Sequence, residues 1–359
     1  MQNPLLDPFA ATAVIRWTPF TGTDFVSYEV IRKTETGPQL LASILDPNTV
    51  SFTDIGLEPT VEYTYQVALN RTGATRFVAD AVPDGIWLET SFGSFMTAKD
   101  VAVDRSNGLV YVLDAGDNSV RSYDNNGNSI DVIALPRPGA GDLLIGLDGS
   151  MWISGSDGGG PTAYLLHLTP SGSIIDTIID SFFPSSQFSW SITLDSNGNL
   201  IAYRPRTNFT DHMEPVISRI DGQNNIIDLV QNTGGLGGAG PMAVYSDQLV
   251  VSAGRGKILL VNLDTPTSAT IVGPLSASFD IDTIYGLAFD TTGRLYVVDG
   301  VEPRADPGAP SRIRVFEDAS LNSNLLVQWN LPETARGIAI DNQGNLFIVS
   351  ETKVYKYAR

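Results

Sequence analysis

The stretch Val101-Ala102-Val103-Asp104, followed by Leu109-Val110-Tyr111-Val112-Leu113-Asp114, decides the fold class. An apolar run leads into an Asp-containing turn, and a second apolar run follows the turn. Five further copies begin at Ile145-Gly146-Leu147-Asp148, Ile192-Thr193-Leu194-Asp195, Met242-Ala243-Val244-Tyr245-Ser246, Leu287-Ala288-Phe289-Asp290 and Ile338-Ala339-Ile340-Asp341. The copies are 44 to 51 residues apart, which is typical of propellers built from four-stranded sheets.

The C-terminal copy holds only three apolar segments and ends at Val354-Tyr355-Lys356-Tyr357. A propeller must close its ring or leave strand edges open. The unused apolar segment is 86–92, just before the first copy. The sequence therefore predicts a second domain over residues 86–359, closed by strand 86–92.

Two segments carry a family resemblance. Leu113-Asp114-Ala115-Gly116-Asp117-Asn118-Ser119-Val120-Arg121-Ser122-Tyr123-Asp124 resembles the NHL repeat, and Gly286-Leu287-Ala288-Phe289-Asp290-Thr291-Thr292-Gly293-Arg294-Leu295-Tyr296 resembles it again. The fourth copy departs most, since its turn, Ser246-Asp247, has no Gly. The resemblance implies an all-β, six-bladed propeller.

The first 85 residues alternate apolar and polar positions, as half-buried strands do. Leu57-Glu58-Pro59-Thr60-Val61-Glu62-Tyr63 is similar to the tyrosine corner of Greek-key sandwiches. With Trp17, Tyr28 and Tyr63-Thr64-Tyr65-Gln66-Val67, it resembles the fibronectin type III family over about residues 5 to 83. The resemblance implies an immunoglobulin-like sandwich over residues 1–85, in which Trp17 and Tyr63 pack in the core.

Composition narrows the range of partners. The formal charge is -18, from 22 Lys+Arg against 40 Asp+Glu, which disfavours nucleic acid and anionic membrane surfaces. No apolar run is long enough for a membrane helix. Without cysteine, the chain has neither disulfides nor thiolate metal sites. Met1-Gln2-Asn3-Pro4 does not read as a signal peptide.

Calcium is weighed at the turns Asp124-Asn125-Asn126-Gly127-Asn128, Asp195-Ser196-Asn197-Gly198-Asn199 and Asp341-Asn342-Gln343-Gly344-Asn345. Asp and Asn also form Asx turns in tight hairpins, and we favour that interpretation. The gluconolactonase and paraoxonase-like propellers hold a metal in the channel. The corresponding positions here are Lys99-Asp100, Asp142, Trp190, Met242, Tyr285 and Arg336. This set is poor for a hard cation, so we predict no metal and no catalytic residue.

Histidine-dependent lyase chemistry is also disfavoured, because His167 and His212 are the only histidines. Binding is the preferred interpretation, since aromatic and planar hydrogen-bonding side chains suit a glycan or a peptide. The ligand-binding residues expected at the propeller face are Trp190, Tyr203, Arg204, Arg206, His212, Tyr285, Asp299, Arg304 and Arg336.

The sequence thus predicts a non-catalytic recognition or scaffolding module that binds protein or glycan. We expect it outside a cell, on a cell surface or on a virus particle. Two alternatives stay open. One is a lactonase-like propeller hydrolase or lyase with a channel metal, and the other is a self-assembling subunit of a filament or appendage.

Overall fold

The computed structural model describes residues 11–34, 36–57, 63–81, 83–85, 87–156, 163–180, 190–204, 216–230, 240–252, 257–266, 269–272, 281, 283–300, 311–320 and 325–358. All regular structure in these residues is β-strand, which confirms the all-β class. None of them forms a helix of the length and apolarity needed to cross a bilayer. The chain separates into two compact units, residues 1–89 with 327–329 and 357–359, and residues 90–326 with 330–356.

The N-terminal unit contains two antiparallel sheets, ordered β4-β1-β7 and β3-β2-β5-β6. Their strands are β1 Ala11–Arg16, β2 Phe25–Thr34, β3 Gly37–Ile44, β4 Ser51–Leu57, β5 Thr64–Arg71, β6 Phe77–Ala81 and β7 Pro83–Gly85. Pro83–Gly85 pairs with β1, so it adds a third strand to the smaller sheet.

One apolar cluster joins these two sheets. It includes Ile15 and Leu57 from the first sheet and Tyr28, Val30 and Tyr65 from the second. Trp17 and Tyr63 are partly buried against the same cluster, as the sequence predicts. The rest of the proposed tyrosine corner, residues 58–62, lies outside the described residues.

Within the described residues, the remaining strands form six four-stranded sheets. They are β8 Trp87–Phe92, β9 Ala98–Val103, β10 Val110–Asp114, β11 Ser119–Tyr123, β12 Ser129–Ala134, β13 Ala140–Ile145, β14 Met151–Ser156, β15 Ala163–Leu168, β16 Ile174–Asp180, β17 Ser191–Leu194, β18 Leu200–Arg204, β19 Val216–Ile220, β20 Ile226–Val230, β21 Met242–Tyr245, β22 Gln248–Ser252, β23 Ile258–Asn262, β24 Ala269–Val272, β25 Thr283–Phe289, β26 Leu295–Gly300, β27 Arg312–Phe316, β28 Leu325–Asn330, β29 Ala335–Ile340, β30 Leu346–Ser350 and β31 Val354–Ala358.

Five of these sheets are built from consecutive strands, β9–β12, β13–β16, β17–β20, β21–β24 and β25–β28. The sixth has the order β29-β30-β31-β8, so its outer strand comes from an earlier part of the chain. The first strands of neighbouring sheets contact one another in cyclic order, from β9 through β13, β17, β21, β25 and β29 back to β9. The six first strands therefore surround a common space.

The turn after each first strand is held by a carboxylate in most sheets. Asp195 Oδ1 accepts hydrogen bonds from the backbone N–H groups of Asn197 and Asn199, both at 2.9 Å, and Oδ2 accepts one from Asn199 Nδ2 at 2.9 Å. Asp341, after β29, makes the same three bonds, and so does Asp124 in the turn between β11 and β12. Because N–H donors engage both carboxylate oxygens, this geometry supports the Asx-turn interpretation over calcium.

The second sheet corrects the repeat alignment. The N–H of Gly146 donates to Ser150 O, the bond that the N–H of Asp104 makes with Leu109 O in the first sheet. Gly146 therefore stands at the position that the sequence analysis gives to Asp148. Asp148 lies within the turn, where it accepts from the Ser150 N–H at 3.0 Å.

We expect Asp195→Ala to lower the free energy of unfolding by about 1–3 kcal/mol, because it removes three part-buried hydrogen bonds and the acceptor that the turn's N–H groups share. Asp195 is 6% exposed and lies 3.2 Å from Arg219 Nε. Urea denaturation measures the loss. The matched control is Asp124→Ala, which removes the same three bonds from a more exposed turn and should cost less. Equal losses would contradict this account of the turns.

Candidate functional site

A cavity of about 830 Å³ lies among the first strands of the six sheets. Each of the strands β9, β13, β17, β21, β25 and β29 contributes lining residues. A cavity of this size is within the range for small organic ligands. It is the site candidate that the described part of the chain offers most directly.

Side chains that point into the cavity repeat every second residue along a strand. One layer of this lining is Asp100, Asp142, Ser191, Gly286 and Gly337. The polar members come from the first three sheets and the glycines from the last two. A Cβ atom at Gly337 would lie 2.5 Å from Asp100 Oδ1, so the Asp100 side chain uses the space that this glycine leaves.

The two carboxyl groups bond to backbone N–H groups of neighbouring sheets. Asp100 Oδ2 accepts from the Leu143 N–H of β13 at 2.9 Å, and Asp142 Oδ2 accepts from the Ile192 N–H of β17 at 2.8 Å. Each carboxyl also accepts from the residue after it in its own strand, Val101 at 2.8 Å and Leu143 at 3.2 Å. These bonds connect the first three sheets around the cavity.

The same two groups are coupled in their titration. Desolvation and the nearby Asp142 carboxyl raise the pKa of Asp100 well above its ordinary value. Desolvation also raises the pKa of Asp142, while a hydrogen bond from Asp100 acts in the opposite direction. Two carboxyls in such a site share a proton because both cannot ionise easily. Of the two groups, Asp100 is therefore the one whose protonated form is favoured more strongly.

Polar side chains that are more exposed than Asp100 and Asp142 lie at one end of this layer. Lys99 and Arg336 are exposed and Tyr285 is half-buried, and all three line the cavity. Arg336 Nη2 is 3.5 Å from Glu351 Oε2. The Tyr285 ring packs against Gly300, where an added Cβ would lie 2.8 Å from Cε2. We call Lys99, Tyr285 and Arg336 the cavity mouth.

The cavity residues do not fit a resident metal ion. Calcium takes six to eight oxygen ligands, several of them carboxylates. Within the described ranges, no group of three or more His, Asp or Glu side chains is close enough to hold a metal. Asp100 and Asp142 are engaged by N–H donors, and Lys99 and Arg336 add positive charge nearby. We derive no reaction step through a metal.

The predicted ligand-binding residues are distributed over different environments. Tyr285 and Arg336 line the cavity. Trp190 and Tyr203 are fully buried in the apolar core between strands. Arg206, His212 and Arg304 lie outside the described residues, so their role stays a prediction.

Two more predicted residues belong to ion pairs within sheets. Arg204 Nη2 lies 2.7 Å from Asp228 Oδ1, and the Arg204 guanidinium stacks over Trp190. Asp299, which is fully buried, pairs with Arg312 at 3.0 Å and with Arg314 at 2.8 Å. These contacts give both residues a structural role in their sheets.

Lys99, Asp100 and Asp142 are absent from the binding-site prediction, although the sequence places them at the channel. The sequence analysis tests them only as metal ligands. The useful signal is the period-2 spacing of Asp100 with Ala102 and of Asp142 with Leu144, which puts each pair on one strand face. Their bonds to the next sheet depend on three-dimensional spacing that no local pattern shows.

His167 has a structural environment outside the cavity lining. Its ring stacks on Trp152 with centroids 3.9 Å apart, and Nε2 lies 2.9 Å from Ser150 Oγ. Burial lowers its pKa. Ser150 is 4% exposed and its hydroxyl donates to Asp148. The arrangement stabilises the second sheet.

Comparisons with known proteins identify the fold. No protein-family model and no curated protein matches the chain. Solved structures do: a gluconolactonase from Xanthomonas campestris is 12% identical, with a TM-score of 0.55 over 76% of this chain and 89% of that one. Regucalcin, a calcium-binding protein from Agrobacterium tumefaciens, is 12% identical, with a TM-score of 0.54 over 74% and 92%.

The WD40 β-propeller domain of Doa1 is 13% identical, with a TM-score of 0.51 over 77% of this chain and 98% of that one. At these identities the likeness shows the fold and not the activity. The chain therefore has an all-β structure with a propeller, and the fibronectin type III assignment stays a prediction.

We expect Gly337→Ala to lower the free energy of unfolding by about 1–3 kcal/mol, because the new methyl group displaces the Asp100 carboxyl and removes the shorter of the two hydrogen bonds that the Leu143 N–H donates. The matched control is Gly222→Ala, where an added Cβ meets no atom within 4 Å. Chemical denaturation compares the two variants. A loss in Gly222→Ala as large as that in Gly337→Ala would argue against the proposed role of Asp100.

The Asp100 carboxyl should make stability depend on pH. Because its pKa is raised in the folded chain, its contribution is complete below the unfolded-state pKa and is lost as pH rises towards the folded-state pKa. Asp100→Asn stays uncharged, so its melting temperature should rise relative to that of the wild type as the pH is raised above about 4, the ordinary pKa of Asp. Asp131→Asn, on the exposed strand β12, is the control. A pH-independent difference for Asp100→Asn would refute the coupling.

Proposed function

We propose that the propeller binds a small organic ligand in its central cavity, without a resident metal. The observation that supports this most is the polar layer with its exposed mouth, inside a cavity of about 830 Å³. Ligand sites of this kind combine apolar walls with a few convergent polar groups. Recognition at the cavity replaces the broader propeller face that the sequence analysis favours.

The walls and the polar groups suit such a ligand. Leu144, Val244, Ala288 and Ala339 are half-buried and line the cavity. Asp100 in its protonated form donates to Asp142, and a ligand that replaces this bond can accept from Asp100 and donate to Asp142. The cavity thus offers an apolar surface with a donor and an acceptor next to each other.

A second candidate function is hydrolysis of a lactone or another ester. Two observations favour it over a purely structural role for the cavity. One is the likeness to a gluconolactonase, and the other is that the pKa of Asp100 is raised further than that of Asp142. A protonated and an ionised carboxyl in one site can serve as general acid and general base. Because the oxygen atoms that line the cavity do not fit a metal ion, this hydrolysis would be independent of metal ions.

A panel of lactones and aryl esters separates binding from turnover. We expect at least one compound to raise the melting temperature. If the site is hydrolytic, turnover persists in EDTA and falls in Asp142→Asn by about 10²-fold or more. Asp131→Asn is the matched control, since Asp131 also accepts from the N–H after it, at 2.8 Å, but on an outer strand. Stoichiometric bound metal, with turnover lost in EDTA, would contradict the proposal.

The organisation of the whole chain is part of the same proposal. We propose a fibronectin type III-like sandwich in residues 1–85 and a six-bladed, NHL-like propeller in residues 86–359. The two packed sheets of the first unit and the six four-stranded sheets of the second support this division. An extracellular, cell-surface or virion location, with self-assembly in a filament or appendage, stays a proposal from the sequence.

A further inference from the structure

Four first strands carry a β-bulge at the same level of the cavity. In β13 the extra residue is Gly141, and in the other three it has a long polar side chain. In β9, Ala98 pairs with Asp114 and Asp100 with Leu113, which leaves Lys99 as the extra residue. Tyr285 is the extra residue in β25, and Arg336 is the extra residue in β29. A bulge redirects a side chain and recurs beside functional sites. The strands β25, β29 and β9 are consecutive neighbours around the cavity, so the bulges place these side chains along one arc of its mouth.

The charge of this arc is opposite to that of the protein. The chain carries a formal charge of -18, yet two cations from neighbouring strands stand together at the mouth. Lys99 is exposed and makes no ion pair with any residue in the described ranges. Arg336 faces Glu351 at 3.5 Å, with both side chains well exposed. Such an exposed pair contributes little, so a ligand can compete for the Arg336 guanidinium.

The carboxyl pair limits where an anionic group can lie. Asp100 and Asp142 form the layer next to the mouth, so an anion that reaches deeper into the cavity is repelled by them. A small planar group can stay between Lys99 and Arg336, whereas a bulkier tetrahedral anion reaches further towards the carboxyls. A planar carboxylate matches the fork of an arginine, and a lysine adds a point charge.

The wall below the mouth selects the rest of the ligand. Leu144, Val244, Ala288 and Ala339 give this part of the lining an apolar surface. A ligand whose anionic group stays at the mouth would bury its body against these side chains. The gain in free energy follows the apolar area removed from water.

We infer that the cavity binds a small monocarboxylate, with its carboxylate held by Lys99 and Arg336 beside Tyr285 and its compact apolar body against the inner wall. This inference rests on the proposed function of the cavity as a ligand site. It adds the chemical class of the ligand, and it applies equally to a carboxylate that is the product of ester hydrolysis.

Calorimetric titration with benzoate and with benzamide tests the inference, because the two probes have nearly the same shape and differ in charge. We expect benzoate to bind at least about tenfold more tightly than benzamide, and phenyl phosphate to bind more weakly than benzoate. Lys99→Met and Arg336→Met should each weaken benzoate binding about tenfold and leave benzamide binding unchanged. Thermal unfolding checks that both variants are folded.

The matched control is Arg105→Met, which removes an exposed cation from the cavity lining at the far end of β9. It should leave benzoate binding unchanged. Equal affinities for benzoate and benzamide, tighter binding of phenyl phosphate, or a loss in Arg105→Met equal to that in Lys99→Met would each overturn the monocarboxylate assignment.

A further variant separates this assignment from the proposed function. Ala288→Phe fills the inner wall and should abolish binding of both benzoate and benzamide. If both probes bind Ala288→Phe as they bind the wild type, the ligand site is outside the cavity, and the proposed function fails together with the inference. If Ala288→Phe abolishes binding while Lys99→Met and Arg336→Met have no effect, the cavity is the site but the mouth does not select a carboxylate.

Discussion

The first strand of each propeller sheet must satisfy its backbone groups on the side where no strand is paired with it. These strands are sheet edges, and they lie next to one another around the cavity, where water has limited access. An unpaired buried N–H is costly. Asp100 and Asp142 resolve this by accepting the N–H groups of Leu143 and Ile192 from the next sheets.

Stability and ligand binding therefore depend on the same side chains. The carboxyls that connect the first three sheets are also the titratable groups of the cavity lining. A ligand that changes their protonation therefore changes the bonds between sheets, and a pH change that loosens those bonds alters the site. On the neighbouring strand β29, the absence of a side chain at Gly337 leaves the space that the Asp100 carboxyl occupies.

Most of the fold can be predicted from the sequence, but little of the candidate site can. The repeated apolar strands and Asp-containing turns are local, so period and turn chemistry are enough to predict an all-β chain with a propeller. The residues Trp190, Tyr203 and Asp299 show the limit. Their positions next to loops favour exposure, but Trp190 and Tyr203 are buried in apolar clusters and Asp299 is buried in ion pairs of its own sheet. The bulges at Lys99, Tyr285 and Arg336 depend on strand register, which cannot be predicted from a single sequence.

The propeller fold alone leaves function open, because similar solved structures include a gluconolactonase, a calcium-binding protein and a WD40 domain. What a propeller does is decided by the few side chains that its first strands present to the cavity. In this chain the carboxyl oxygens of Asp100 and Asp142 already accept hydrogen bonds from N–H groups. The most exposed groups at the mouth are cations. A site with that balance of charge is better suited to holding an organic anion than to holding a metal cation, and this difference in charge separates the present proposal from a metal-dependent one.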